Sequence, residues 1–170
     1  MSGVVALLAD PGVPTCHEAG ARPEVLCHLN AAVAGLEDAS PDLCRLGAAF
    51  AVIASMVPWS KRPHVGPDAE RFAAGHANAI IMGPRGAEVR DDIVLGVSLM
   101  APHIRYPDHS HPPDELYLVL SEGEWRQGDG TWMRPGIGGT VRNPPGAVHA
   151  MRAGARPLLA VWALRPAFAG

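Results

Sequence analysis

His109, His111 and Glu115 fall within one short segment, YPDHSHPPDELY, which runs from Tyr106 to Tyr117. A further histidine, His149, follows in NPPGAVHAM. Three imidazoles and one carboxylate make a nitrogen/oxygen donor set for a single divalent transition metal. That set accommodates zinc, iron, manganese, cobalt or nickel, so the residues leave the ion's identity open. Tyr106 and Tyr117 are the only two tyrosines in the chain, and they bracket the cluster. Both are candidate catalytic groups beside the metal.

These side chains need elements that bring them together. Strand side chains alternate faces, so His109 and His111 are expected to point the same way. Pro112-Pro113-Asp114 must form a tight turn, because proline cannot serve a central ladder. Glu115, Tyr117 and Val119 then share one face of the next strand. His149 joins from a later strand, positioned by the segment from Gly138 to Gly146 with its two prolines. Short apolar runs broken by Gly, Pro and Asp follow about Gly83, and they predict strands at Ile93–Met100, Leu116–Ser121, Thr131–Met133, His149–Met151 and Leu158–Leu164. That rhythm predicts an antiparallel sandwich or barrel.

The chain before Pro58 reads differently. Leu26, Leu29, Val33 and Leu36 recur at helical spacing in a segment opened by Pro23. Ser40, Pro41 and Asp42 predict an N-cap, a first helical proline and a first-turn acid for a second helix. Leu43, Leu46, Phe50 and Ile53 mark its apolar face. Ala69 to Met82 fits either a short helix or a helix running into a strand. The expected organisation is one compact domain: a helical extension over residues 1–58, packed on a β-barrel over 59–170.

A length of 170 residues supports one full hydrophobic core. A net charge of -3 without a basic run argues against nucleic acid as the partner. No apolar run approaches the ~20 residues of a membrane span, so no membrane partner is expected. The N-terminus lacks a basic segment ahead of its apolar patch, which predicts no signal peptide and a cytoplasmic protein. Cys16, Cys27 and Cys44 show no CxxC spacing and are expected to be reduced, buried thiols. His17, His28, His64, His76 and His103 are given no functional role.

The clustered residues resemble the cupin superfamily. HSHPPDE matches the core of its first motif, and Gly138, Pro144, Gly146 and His149 match its second. Departures lie at outer positions: His103 and Glu122 stand where the first motif has glycines, and Ala153 replaces the second motif's asparagine. The resemblance implies a mainly β, single cupin jelly-roll barrel. Within cupins, YPDHSHPPDELYLVLS and NPPGAVHAM look like the dimethylsulfoniopropionate lyases of the DddQ-like branch. His111, Glu115, Tyr117, His149 and Tyr106 match the positions that carry function there. His109 matches a histidine whose part in metal binding varies among such lyases.

This resemblance implies a carbon–sulfur lyase that cleaves dimethylsulfoniopropionate to dimethyl sulfide and acrylate by β-elimination. Such a reaction needs a base for the proton alpha to the carboxylate. Tyrosine, with a pKa near ~10, is a poor base at neutral pH, and a nearby dication favours its phenolate. Tyr117 shares the strand face of Glu115 and is the better placed; Tyr106 shares the base role or holds substrate. A cationic sulfonium would suit the faces of Trp125, Trp132 or Trp162. Arg142 and Arg152 could meet a carboxylate or be solvated. The expected partner is a small zwitterionic or carboxylate molecule, bound by a monomer or homodimer. Alternatives are a cupin lyase, dioxygenase or isomerase acting on another small carboxylate, and a non-catalytic cupin that binds a metal or metabolite.

Overall fold

Strand order in this chain follows from which residues can be buried on two faces and which on one. The computed structural model describes residues 8, 12–14, 22–64 and 66–165. Cys16 and His17 lie outside the described residues. The strands are β1 (Val13–Pro14), β2 (Trp59–Ser60), β3 (His76–Met82), β4 (Glu88–Val89), β5 (Val94–Met100), β6 (Arg105–His109), β7 (Asp114–Val119), β8 (Glu124–Gln127), β9 (Thr140–Asn143), β10 (His149–Arg152) and β11 (Leu158–Arg165). An eight-stranded sheet runs β1-β4-β3-β5-β11-β7-β9, with β2 paired to β3. A three-stranded sheet runs β6-β10-β8. All pairs are antiparallel except the single β3–β4 contact.

The central strands β5 and β11 are apolar on both faces because both faces are covered. Alternate residues serve two cores. Leu158, Ala160 and Trp162 face the space between the sheets, with Tyr117, Val119 and Val141 of the large sheet and Tyr106, Trp125 and Met151 of the small one. Leu159, Val97 and Leu99 face the other way, onto Val25, Leu29, Leu36, Phe50 and Ala54. The helical segment therefore roofs the outer face of the large sheet. Fully burying one such Leu or Phe side chain contributes about 1.5–3 kcal/mol.

The roof is built from a 3-10 turn (Glu24–His28), a helix Leu29–Ala34 and a helix Pro41–Ile53. Pro41 opens the longer helix and Asp42 sits in its first turn. Ser40 has the extended backbone of an N-cap but makes no side-chain capping hydrogen bond, contrary to expectation. Pro23 opens a 3-10 turn rather than an α-helix, and Leu36 lies beyond the helix end. Residues 69–82 are a helix, Ala69–Gly75, that runs straight into β3. Among the described residues no helix is long and apolar enough to cross a membrane.

Three further sequence expectations are corrected. Thr131–Met133 is no strand and makes one isolated bridge, between Met133 and Trp125. Cys27 is exposed and Cys44 half-buried, because both sit on the roof rather than beneath it. The short strands β6, β8 and β9 fall outside the expected runs. Each lies at the edge of its sheet, and edge strands tolerate the charges and the proline (Pro107) that disguise them.

Candidate metal centre

The two sheets meet where β6, β7 and β10 begin or end. His109 is the last residue of β6, and His149, the first of β10, is its direct cross-strand partner. His111 lies past the strand, in the turn, so strand alternation alone does not place it. Glu115, Tyr117 and Val119 alternate inward along β7, as the period of two requires. One ligand atom from each of His109, His111 and His149 lies within 4.8 Å of the other two. Glu115 Oε2 sits 3.2 Å from His111 Nε2 and 3.1 Å from His149 Nε2.

Each imidazole is oriented by the backbone two residues away. His109 Nδ1 meets the Pro107 carbonyl at 2.9 Å, His111 Nδ1 the Pro113 carbonyl at 3.0 Å, and His149 Nδ1 the Ala147 carbonyl at 2.9 Å. A carbonyl only accepts, so in each ring Nδ1 carries the proton and Nε2 keeps its lone pair. His111 Nε2 and His149 Nε2 are buried and make no hydrogen bond. Their lone pairs face a carboxylate oxygen, which is unfavourable unless a positive charge lies among them. The donor set therefore fits a divalent cation on its chemistry, and the backbone contacts are the outer layer such ligands need.

A second layer holds the carboxylate. Asn143 Nδ2 donates to Glu115 Oε2 at 2.8 Å, and Gln127 Nε2 donates to Asn143 Oδ1 at 2.8 Å. Burial pushes the Glu115 carboxyl up; where protons rather than a metal supply the positive charge, hydrogen bonds from His111, His149 and Asn143 outweigh burial and hold its pKa down at about 2. Burial lowers His109 to about 4. The Glu115 carboxylate raises His111.

Both tyrosines are buried and line a cavity of about 80 Å³ beside this cluster. That volume is several times the ~10–15 Å³ one water requires. Tyr106 lies against His109, ring centroids 4.4 Å apart, and accepts a hydrogen bond from Arg62 Nη1 at 3.1 Å. Burial raises the Tyr106 pKa and the Arg62 charge opposes the rise. Burial raises Tyr117 more strongly, and the neighbouring Glu115 carboxylate adds to it. Trp162 also lines the cavity.

Other candidates are not brought to the site. Trp125 is buried in the core, its ring 6.3 Å from that of Tyr117. Trp132 is stacked by Arg105, Arg126 and Arg152, at 5.8, 5.1 and 4.2 Å. Arg142 pairs with Asp114 at 3.0 Å, and Arg152 with Glu124. Sequence reasoning missed Arg62, Asn78, Ser98, Asn143 and Gln127. Ser98 had a signal, since it interrupts the otherwise apolar β5.

A profile of the dimethylsulfoniopropionate lyases matches residues 2–160. The chain belongs to this family. Curated relatives within the dimethylsulfoniopropionate lyases include a putative lyase, DddL, of Cereibacter sphaeroides, 32% identical over 106 residues. That match covers 62% of this chain and 44% of the relative, so the chain spans less than half of DddL's length. Dimethylsulfoniopropionate lyase DddQ of Ruegeria pomeroyi is 29% identical over 138 residues, covering 75% of this chain and 67% of the relative. The crystal structure of Ruegeria pomeroyi DddQ superposes with a TM-score of 0.78 at 24% identity, over 99% of this chain and 84% of that one. A cupin-2 domain from Rhodospirillum rubrum matches at TM-score 0.52 and 13% identity, over 65% of this chain and 70% of that one. The fold is the cupin jelly roll, here as two facing sheets with a helical roof.

Proposed function

We propose that this chain cleaves dimethylsulfoniopropionate to dimethyl sulfide and acrylate by β-elimination. His109, His111, Glu115 and His149 would hold one divalent transition metal. The observation that carries this reading is the convergence of His109, His111, His149 and Glu115 beside a cavity lined by the chain's only two tyrosines. When bound, the metal supplies a Lewis acid for a substrate carboxylate and lowers the cost of a nearby phenolate. Tyr106 or Tyr117 takes the proton alpha to the carboxylate. The carbon–sulfur bond breaks with its electron pair leaving on sulfur, so neutral dimethyl sulfide departs. The aromatic face of Trp162 suits the sulfonium cation. Deep burial keeps both phenols protonated in the absence of added positive charge. Arg62 provides one such charge to Tyr106.

Headspace detection of dimethyl sulfide, paired with acrylate in solution, tests the reading on metal-loaded protein. One dimethyl sulfide per acrylate supports it. Turnover of another small carboxylate, with none of dimethylsulfoniopropionate, would replace the substrate. At equal metal occupancy, phenylalanine at the base should cost ~100-fold or more in kcat. Near-normal kcat in both Tyr106→Phe and Tyr117→Phe would rule out a tyrosine base.

A further inference from the structure

Asn78 and Ser98 are direct partners across β3 and β5, and both line the cavity. Ser98 Oγ donates to Asn78 Oδ1 at 2.6 Å. His76, two residues before Asn78, meets the same oxygen through Nε2 at 3.0 Å. A carboxamide oxygen only accepts, so His76 carries its proton on Nε2. Burial agrees with a neutral ring, lowering the His76 pKa to about 4. The ring itself is clamped: it stacks on Phe72 at 4.6 Å and 10°, and meets Tyr106 edge-on at 4.7 Å.

With two donors on its oxygen, Asn78 has only its N–H groups left to offer. Asn78 and Tyr106 line the same cavity, His76 bridges them by bonding one and packing on the other, and Arg62 Nη1 lies 3.1 Å from the Tyr106 hydroxyl. A guanidinium only donates. The phenol oxygen of Tyr106 thus has one donor in Arg62 and the Asn78 amide on the same cavity wall, whereas Tyr117 lies beside the acceptor Glu115. We propose that Asn78 is a positioning residue for Tyr106: Ser98 and His76 lock its carboxamide, and its N–H group joins Arg62 in making the Tyr106 oxygen an acceptor with its own proton free toward the cavity. This deepens the lyase reading and rests on it for its kinetic consequence.

The Raman doublet of a tyrosine ring distinguishes the two roles. Its higher-frequency line dominates when the hydroxyl accepts, and its lower-frequency line when it donates. Tyr117→Phe leaves Tyr106 as the sole tyrosine of the full chain, and its spectrum should be of the acceptor type. Adding Asn78→Ala or Ser98→Ala should shift the doublet toward the donor type. With Tyr117 restored, Asn78→Ala should lower kcat ~10-fold with KM within ~2-fold, the pattern of a lost transition-state interaction. Ser98→Thr, which keeps the hydroxyl, should restore both readouts relative to Ser98→Ala. If Asn78→Ala does not fold, Ser98→Ala is judged by the same criteria. An unchanged doublet in these variants overturns the proposal, as does a raised KM with unchanged kcat. A wild-type chain that releases no dimethyl sulfide would refute the lyase reading alone, since the doublet still decides how Tyr106 is held.

Discussion

Glu115 is buried with two imidazole lone pairs facing it, and its orientation depends on an amide chain from Gln127 through Asn143. Removing that chain should loosen the ligand without deleting it. Asn143→Ala is expected to weaken metal affinity 10–100-fold, the usual cost of losing an outer-layer partner, measured by competition with a chelator. The ligands themselves should be stricter. Elemental analysis should find about one metal per chain, and His111→Ala, Glu115→Ala and His149→Ala should each lose most of it. Retained metal in His109→Ala would place His109 outside the ligand set. The ligand candidates were legible in sequence because His109, His111 and Glu115 lie close along the chain. Arg62, Asn78 and Gln127 were not, because folding alone brings them beside residues from which they are 16 to 44 positions away.

At the scale of elements, β5 is the strand on which the cavity wall depends. A Cβ at Gly96 would lie 2.2 Å from the Trp162 ring and 2.6 Å from the Ala79 carbonyl. Gly96→Ala should therefore displace Trp162 from the cavity and destabilise the fold by about 1–3 kcal/mol, seen as a lower Tm. The three-stranded sheet is tied on its outer face by Glu124, which pairs with Arg152 and, at 2.9 Å, with Arg134. Hydrogen bonding from Arg152, then from Arg134, lowers the Glu124 pKa. A depressed carboxylate pKa adds stability above its unfolded value, near ~4, and loses it as pH falls through the folded value. The Tm difference between wild type and Glu124→Gln should be present at about pH 7 and should shrink below about pH 4. Central strands such as β5 and β11 were readable from their unbroken apolar runs. The edge strands β6, β8 and β9 were not, because partial exposure lets them carry charges and proline.

For the whole molecule, one core lies between the two sheets and the other between the large sheet and the helical roof. The helical roof covers Val97, Leu99, Leu120 and Leu159, which would otherwise form an exposed apolar face on the large sheet. The net charge of -3 gives little long-range steering toward a zwitterion. On the proposed reading, recognition arises inside the cavity that the tyrosines and Trp162 line. The central claim is that one metal at His109, His111, Glu115 and His149 enables cleavage of dimethylsulfoniopropionate. Its most direct test is to strip the protein with a chelator, add metal stepwise, and follow dimethyl sulfide release. Release should rise with occupancy and reach its plateau at about one equivalent per chain. Full release from the stripped protein, or none at one equivalent bound, would contradict the account.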